Sequence, residues 1–340
     1  MSTVQAAKSE SRTHTGDTAG RTLSGRLRSS LQQFLAFASL IALVIFFSIA
    51  SGKFMTLSNI SGILLATSVI GILALGTTFV IISGGIDLSI GTGMTLCSVM
   101  TGVFLTYLGL PLIVGVIGGI LTGAVMGLVN GTLIAALKIP PFIATLAMMM
   151  IAEGLALVIS GTSPIYFGST PGFTNLALGS VIPGLSIPNA VLIIFIAAVL
   201  AGVTMSKTII GRYTFSIGSN EDATALSGVN VKKWKVLIYT FAGAFTGLAG
   251  VVMASRLSSA QPGLGMGYEL EAIAAVIIGG TSLQGGKGSI IGTVIGALIM
   301  SVLTNGLRIM SIPQEWQNVA VGAVILLAVY LDMLRRKETS

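Results

Sequence analysis

Ten runs of mostly apolar residues, separated by shorter polar connections, divide this chain of 340 residues. A helix needs about 20 mostly apolar residues to cross the hydrocarbon layer of a bilayer. Only 9% of the residues are charged, against about a quarter in soluble domains, so the composition excludes a soluble enzyme. The runs span residues 34–50, 60–82, 88–108, 112–137, 142–159, 187–205, 236–254, 270–283, 290–307 and 319–334. They predict an all-α polytopic membrane protein with about ten transmembrane helices.

The basic residues indicate the orientation of these helices. With ten crossings and a cytosolic N-terminus, 15 of the 18 Lys and Arg residues fall on the cytosolic side, and only Lys53, Arg256 and Arg308 fall outside. This asymmetry is what the positive-inside rule requires. Treating the short eighth run as re-entrant would move the basic cluster 335–337 to the outside. We therefore predict that both termini are cytosolic.

Three regions follow from this topology. Residues 1–33, rich in Ser, Thr, Arg and Gly, are predicted to form a disordered cytosolic tail. Residues 34–334 form the transmembrane domain, with its longest cytosolic loop at 207–235, and residues 335–340 form a second cytosolic tail. The run 34–50 ends in small residues that loosely match a signal cleavage site. Since its polar leader is much longer than that of a signal peptide, we interpret this run as a retained first helix.

Several chemistries are excluded by what the sequence lacks. The net charge of +7 does not indicate nucleic acid binding, because the basic residues are scattered rather than clustered in a stripe. His14 is the only histidine and lies in the polar leader, which leaves neither a Ser-His pair nor a metal-ligand set in the membrane. The segment around Lys287 fails the phosphate-loop pattern. We therefore expect no enzymatic activity, no metal and no directly bound cofactor.

Glycines four residues apart recur in the fourth and seventh runs, notably at Gly123 and Gly127 and at Gly243 and Gly247. Small residues at this spacing let helix backbones approach closely. The pattern predicts tight packing within the bundle, and a second interpretation is that these glycines let helices slide or hinge during transport.

A polar break, residues 83–89, separates the second and third runs. It contains Gly84, Gly85 and Asp87, and a carboxylate at the centre of a span costs about 3 kcal/mol. Either the glycines end one helix and Asp87 caps the next, or these residues line a solute path. Both interpretations remain open at this stage.

Other polar residues within the runs are further candidates for a solute path. Glu153 lies in the fifth run and has no obvious partner, whereas Glu269 and Glu271 are close enough in sequence to Arg256 to pair with it. The stretch that ends in Gly279 and Gly280 echoes the stretch that ends in Gly84 and Gly85. Likewise Asn130-Gly131 echoes Asn305-Gly306, although the intervals between the echoes differ, so an internal repeat is only suggested.

The loop 207–235 contains a predicted short helix of about two turns, from Asn220 to Ser227. Ser219 and Asp222 fit a capping pattern, acidic residues favour a helix N-terminus, and Gly228 is a natural stop. A helix this short is marginal alone in water, so it must dock on something. It packs either on this protein's own helix ends or on a cytosolic partner.

Several segments, taken in order, resemble the membrane permease subunits of ribose-type ABC sugar importers. They are GTTFVIISGGIDLS at 76–89, FIATL at 142–146, GSNEDATALSGVN at 218–230, RLSSAQP at 256–262, and the stretches 267–276 and 279–288. The resemblance covers about 34–334 and is closer to ribose permeases than to branched-chain amino acid permeases.

This resemblance implies the partners and the role of the short helix. The family pairs two permease subunits, as a homodimer or a related pair, with a cytosolic ATPase and an extracytoplasmic sugar-binding protein. Its coupling motif maps to Glu221, Ala223, Ala225 and Gly228, whereas Asp222 and Thr224 depart from the stricter form. ATP would be used by the ATPase subunit and not by this chain. We therefore expect Asn220 to Gly228, Asp222 included, to contact the ATPase.

The function expected from these features is the transmembrane permease of a monosaccharide importer in the bacterial inner membrane, with a pentose such as ribose as its substrate. Loops 160–185 and 256–268 would receive the binding protein or serve only as connectors. The alternative is an ion-coupled secondary transporter or a channel for a small polar solute. The candidates for the pathway or the helix break are Gly84, Gly85, Asp87, Asn130, Glu153, Gly279 and Gly280.

Overall fold

The computed structural model describes residues 34–168, 170–180 and 187–337. The predicted tail 1–33 and the last three residues lie outside this range. The helices are α1 (Phe34–Ala50), α2 (Leu57–Ile82), α3 (Ile90–Gly102), α4 (Leu112–Ala135), α5 (Pro141–Ser160), α6 (Phe173–Leu178), α7 (Asn189–Lys207), α8 (Ile209–Ser219), α9 (Glu221–Leu226), α10 (Val231–Leu257), α11 (Tyr268–Ile278), α12 (Ile290–Ile309) and α13 (Gln314–Lys337). A π-helical turn, Val103–Tyr107, extends α3. Two-residue strands β1 (Ile165–Tyr166) and β2 (Ser259–Ala260) pair antiparallel.

The all-α polytopic architecture is confirmed. Within the described residues, eight helices are long and apolar enough to cross a membrane, α3 being counted with its π-helical turn, and α1 is a shorter apolar helix. Each of the ten apolar runs coincides with one of these nine helices or with α11.

The eighth run differs from the expectation of one helix over 270–283. The helix α11 has 11 residues, or about 16 Å at 1.5 Å per residue, whereas the hydrocarbon layer is about 30 Å thick. The polar loop before it enters the bundle, where Gly265 lies against the backbone of Gly91 near the start of α3. The loop therefore covers part of the depth that a full-length helix would have crossed.

Loops that the ten-crossing topology places on the same side of the membrane also meet in the structure. On the predicted outer side, Ile165 pairs with Ala260, and the Ser255 hydroxyl donates to the carbonyl oxygen of Phe173 at 2.7 Å. On the predicted cytosolic side, the Gly286 N–H donates to the carbonyl oxygen of Ile82 at 2.8 Å. The contacts fit the alternating order of crossings, while the cytosolic location of the termini stays a prediction.

The centre of the bundle is α2, whose second half is buried on every side. Helix α10 packs against α2, α3 and α4. At the crossing of α4 and α10, a Cβ atom on Gly123 would overlap the carbonyl oxygen of Gly243, and a Cβ atom on Gly127 would overlap that of Tyr239. The prediction that glycines in the fourth and seventh runs serve close packing is confirmed.

Candidate helix break and coupling helix

The break begins where the glycines end α2. The N–H groups of Gly84 and Gly85 donate to the carbonyl oxygens of Ile81 and Val80, at 2.9 and 3.0 Å. Gly84 has φ +83°, a left-handed conformation that costs glycine little. These two bonds satisfy carbonyl groups that the end of the helix leaves open.

Asp87 organises the turn into α3. Its Oδ1 accepts hydrogen bonds from the N–H of Ser89 at 2.9 Å and from the Ser89 hydroxyl at 2.6 Å. Burial raises the pKa of the Asp87 carboxyl, and the hydrogen bonds from Ser89 act in the opposite direction. The capping interpretation expected Asp87 to accept hydrogen bonds from the N–H groups in the first turn of α3. The N-cap residue of α3 is Ser89, so Asp87 instead binds the residue before the helix.

Two further side chains complete this buried cluster. The Asn130 amide donates to the Ser89 hydroxyl at 2.9 Å, so the structure brings two of the predicted residues, Asp87 and Asn130, together. The Tyr239 hydroxyl lies against Gly85. Within the described residues, neither Asn130 Oδ1 nor the Tyr239 hydroxyl has a hydrogen-bond partner. Sequence reasoning missed Tyr239. The signal that could have identified it is a phenol group inside an otherwise apolar run.

Gly280 and Thr281 repeat the helix ending seen at Gly84 and Gly85, and Gly279 takes the position of Ser83. The N–H of Gly280 donates to Ile277 and that of Thr281 to Val276, and Gly280 has φ +91°. The sequence echo thus corresponds to a shared way of ending a helix. Gly279 also lies against the backbone of Gly292, where α11 meets α12.

Glu153 stands apart from the other candidates. It is partly buried on α5, and among the described residues it takes part in no hydrogen bond or ion pair. The expected pairing of Glu269 and Glu271 with Arg256 is wrong, because neither glutamate forms an ion pair with Arg256 in the described part of the chain. Glu269 instead accepts from the N–H of Gly267 at 3.1 Å, because the loop before α11 folds back on its carboxylate.

The predicted short helix in the loop 207–235 is confirmed as α9, with six residues. Its cap is Asn220, whose Oδ1 accepts from the N–H of Ala223 at 2.9 Å. The prediction of Ser219 as the cap is wrong, because α8 continues through Ser219 and leaves Asn220 as the first extended residue. Gly228 follows with φ +82°, as expected for the stop.

Most of α9 is exposed. Of its six residues only Thr224 is buried, and the side chain of Leu226 is 90% exposed. The Lys235–Glu221 ion pair of 2.6 Å ties the start of α9 to α10. The docking of α9 on its own chain is therefore slight.

Grooves run along both sides of α9. One, of about 650 Å³, is lined by Ala223 and Thr224 together with Tyr213 of α8. The other, of about 550 Å³, is lined by Ala225 and by Lys138 of the loop between α4 and α5. The helix α9 thus forms a ridge between two concave surfaces, a shape that another protein can engage.

The end of α8 connects α9 to the helix break. A Cβ atom on Gly218 would overlap the carbonyl oxygen of Ile82 and would approach the backbone nitrogen of Gly286. A cavity of about 110 Å³ is bounded by Gly84, Gly218, Lys235 and Tyr239. The break, the start of α9 and the loop after α11 therefore meet at one place, which we call the Gly218 junction (Ile82, Gly218 and Gly286).

Comparison with known proteins identifies the family. The model described as "Branched-chain amino acid transport system / permease component" matches residues 59–329. The ribose import permease RbsC of Escherichia coli K12 is 40% identical over 317 residues, covering 92% of this chain and 98% of that protein. RbsC of Bacillus subtilis is 43% identical, covering 89% and 93%.

A permease that is named for another sugar is also similar to this chain. The xylose transport permease XylH of Haemophilus influenzae is 34% identical, covering 91% of this chain and 98% of that protein. No solved structure matches the chain significantly. With its apolar helices, the chain is a multi-pass protein of the bacterial inner membrane, and it belongs to the family of membrane permease subunits of ribose-type ABC importers.

Proposed function

We propose that this permease forms half of the transmembrane pathway for a monosaccharide, with ribose as the substrate. The support is the match to ribose permeases over nearly their full length, since permeases named for xylose and D-allose match with lower identity, 34% and 37%. The chain itself binds no cofactor, and a separate ATPase subunit hydrolyses ATP.

The observation that carries the proposal is the exposure of α9. A six-residue helix whose apolar Leu226 side chain is 90% exposed gains stability when a partner covers it. The ATPase subunit receives α9 on the cytosolic side, with Ala223 and Ala225 facing the two grooves. The contact with the ATPase also includes the residues at the two ends of the helix, which are Asn220, Glu221, Asp222 and Gly228.

The Gly218 junction carries the motion into the membrane. Because Gly218 lies three residues before the start of α9 and against Ile82 and Gly286, a displacement of α9 changes the packing at the end of α2 and in the loop after α11. Nucleotide binding by the ATPase then biases a two-state equilibrium between inward and outward access. Gly84, Gly85, Gly279 and Gly280 allow these helix ends to move.

The proposed assembly combines the subunits that the family implies with the predicted topology. Two copies of the chain face each other, both termini lie in the cytosol, and the loops 160–185 and 256–268 receive a loaded sugar-binding protein outside. Residues 34–334 form the transmembrane domain, between cytosolic tails at 1–33 and 335–340. Asp87 and Asn130 are buried inside the protomer, which supports a role in holding the break, whereas Glu153 belongs to the solute path.

Reconstitution into liposomes tests the function. Permease, ATPase and binding protein together are expected to accumulate radiolabelled ribose only when ATP is supplied on the ATPase side. Omission of the ATPase or of the binding protein is expected to abolish accumulation. Transport by the permease alone, driven by an ion gradient, would instead establish the secondary transporter.

A further inference from the structure

Helix α5 has two faces that the rest of the protomer does not fully cover, and only one of them contains an ionisable side chain. Helix α5 packs on α3 and α4 through its buried residues, which recur every four positions at Ala144, Met148, Ala152 and Ala156. The hydroxyl of Thr92 on α3 fixes this contact by donating to the carbonyl oxygen of Met149 at 2.9 Å. Thr145 and Ser160 are also buried, and the remaining residues of α5 are exposed or partly buried.

One stripe contains a carboxylate. Leu146, Met150, Glu153 and Leu157 follow each other at spacings of three and four, so their side chains share one face; we call this the Glu153 stripe. Ile151, Leu155 and Val158 form a second bare face, the Val158 stripe, whose exposed fractions are 53%, 44% and 78%. The second stripe is entirely apolar and suits contact with lipid.

Glu153 does not suit contact with lipid. It lies seven residues before the end of α5, within a membrane span, and no described residue pairs with it. Ionisable groups inside membrane spans almost always face a bundle interior or a water-filled cavity. A Cβ atom added to the neighbouring Gly154 would meet nothing within 4 Å, so open space adjoins this part of the helix.

We propose that the Glu153 stripe lines the water-filled path between two copies of the chain, and that the Glu153 carboxylate accepts hydrogen bonds from the hydroxyl groups of the passing sugar. This inference rests on the proposed function, which supplies the second copy and the polyhydroxylated solute. A carboxylate accepts short, strong bonds from hydroxyl groups and has acceptor positions for two neighbouring hydroxyls. Of the seven pathway candidates, Glu153 alone presents an ionisable side chain on an outer face of the protomer.

Cysteine labelling separates the two stripes. Cys97 is buried, and in a Cys97→Ala background single cysteines replace Met150, Glu153 or Leu157, or the matched controls Ile151, Leu155 or Val158. The complete complex in vesicles is treated with a membrane-impermeant, charged methanethiosulfonate, which needs a thiolate in water. We expect labelling of the first three positions to be at least about tenfold faster, a difference of about 1.4 kcal/mol in activation free energy. Equal labelling of both stripes, or faster labelling of the controls, would overturn the inference.

Uptake measurements test the role of the carboxylate. Glu153→Gln keeps an acceptor and is expected to raise the KM for ribose uptake, and Glu153→Leu is expected to reduce uptake further, with normal assembly and binding-protein affinity. Wild-type KM and rate in Glu153→Leu would refute the hydrogen-bonding role. If the wild-type complex takes up no sugar, the proposed function fails; if it does and position 153 is not labelled, this inference alone fails.

Discussion

The N–H of Gly286 donates to the carbonyl oxygen of Ile82 at 2.8 Å, which joins the loop after α11 to the last residue of α2. Gly218 lies against both groups, one residue before the end of α8 and three before the first residue of α9. Backbone contacts of this kind leave no room for side-chain adjustment, so a shift of any one segment must displace the others. In the proposed mechanism, this junction couples α9 to the helix break.

Gly218→Val is expected to disturb this coupling. Its added atoms would overlap the Ile82 carbonyl group, and overpacking of this kind costs about 1–3 kcal/mol. We expect ribose uptake per assembled complex to fall by about fivefold or more. Gly202→Val is the matched control, since a Cβ atom there meets nothing within 4 Å. Equal uptake by the two variants would contradict a role for the junction.

Asn130→Ala tests the buried cluster at the break. The substitution removes the hydrogen bond to the Ser89 hydroxyl and leaves a cavity, so we expect the free energy of unfolding to fall by about 1–3 kcal/mol. The measurement is the thermal midpoint of the purified permease in detergent. The control is Thr132→Ala, because Thr132 is exposed on the same helix and bonds only its own helix backbone. A midpoint for Asn130→Ala that equals the control would show that the cluster does not hold the break.

The apolar pattern was sufficient to predict the fold class, and the acidic residues and Gly228 were sufficient to predict the helix α9, because a membrane span and the ends of a short helix are local features of the chain. The length of α11 could not be predicted in this way. It depends on the approach of Gly265 to Gly91, which are distant in sequence, and an apolar run shows the same composition whether or not a loop enters the bundle beside it.

The site was predicted unevenly for the same reason. Gly84, Gly85 and Gly280 mark helix ends through short-range hydrogen bonds, so sequence reasoning found them. The contact of Tyr239 with Gly85 arises from the crossing of α10 over the break. Likewise, the convergence at Gly218 needs three segments far apart in the chain, and no single motif contains it.

Sidedness can be measured with two exposed positions at opposite ends of the bundle. In cells with the Cys97→Ala background, Gly263→Cys is expected to react with an impermeant maleimide, whereas Ser227→Cys is expected to react only after permeabilisation. The 15 to 3 distribution of basic residues is the physical reason. Gly263 has open space for a side chain, and Ser227 is exposed. The reverse labelling pattern would refute the cytosolic location of α9.

The most direct test of the account is the contact between α9 and the ATPase. Leu226→Glu and Ala225→Glu place a carboxylate at exposed positions of the helix, and an unpaired charge in a covered interface is costly. We expect ATPase co-purification and binding-protein-stimulated ATP hydrolysis to fall by about tenfold or more, while Met55→Glu, at an exposed apolar position (57% exposed) between α1 and α2, leaves both unchanged. Normal assembly and normal uptake in both α9 variants would contradict the coupling role.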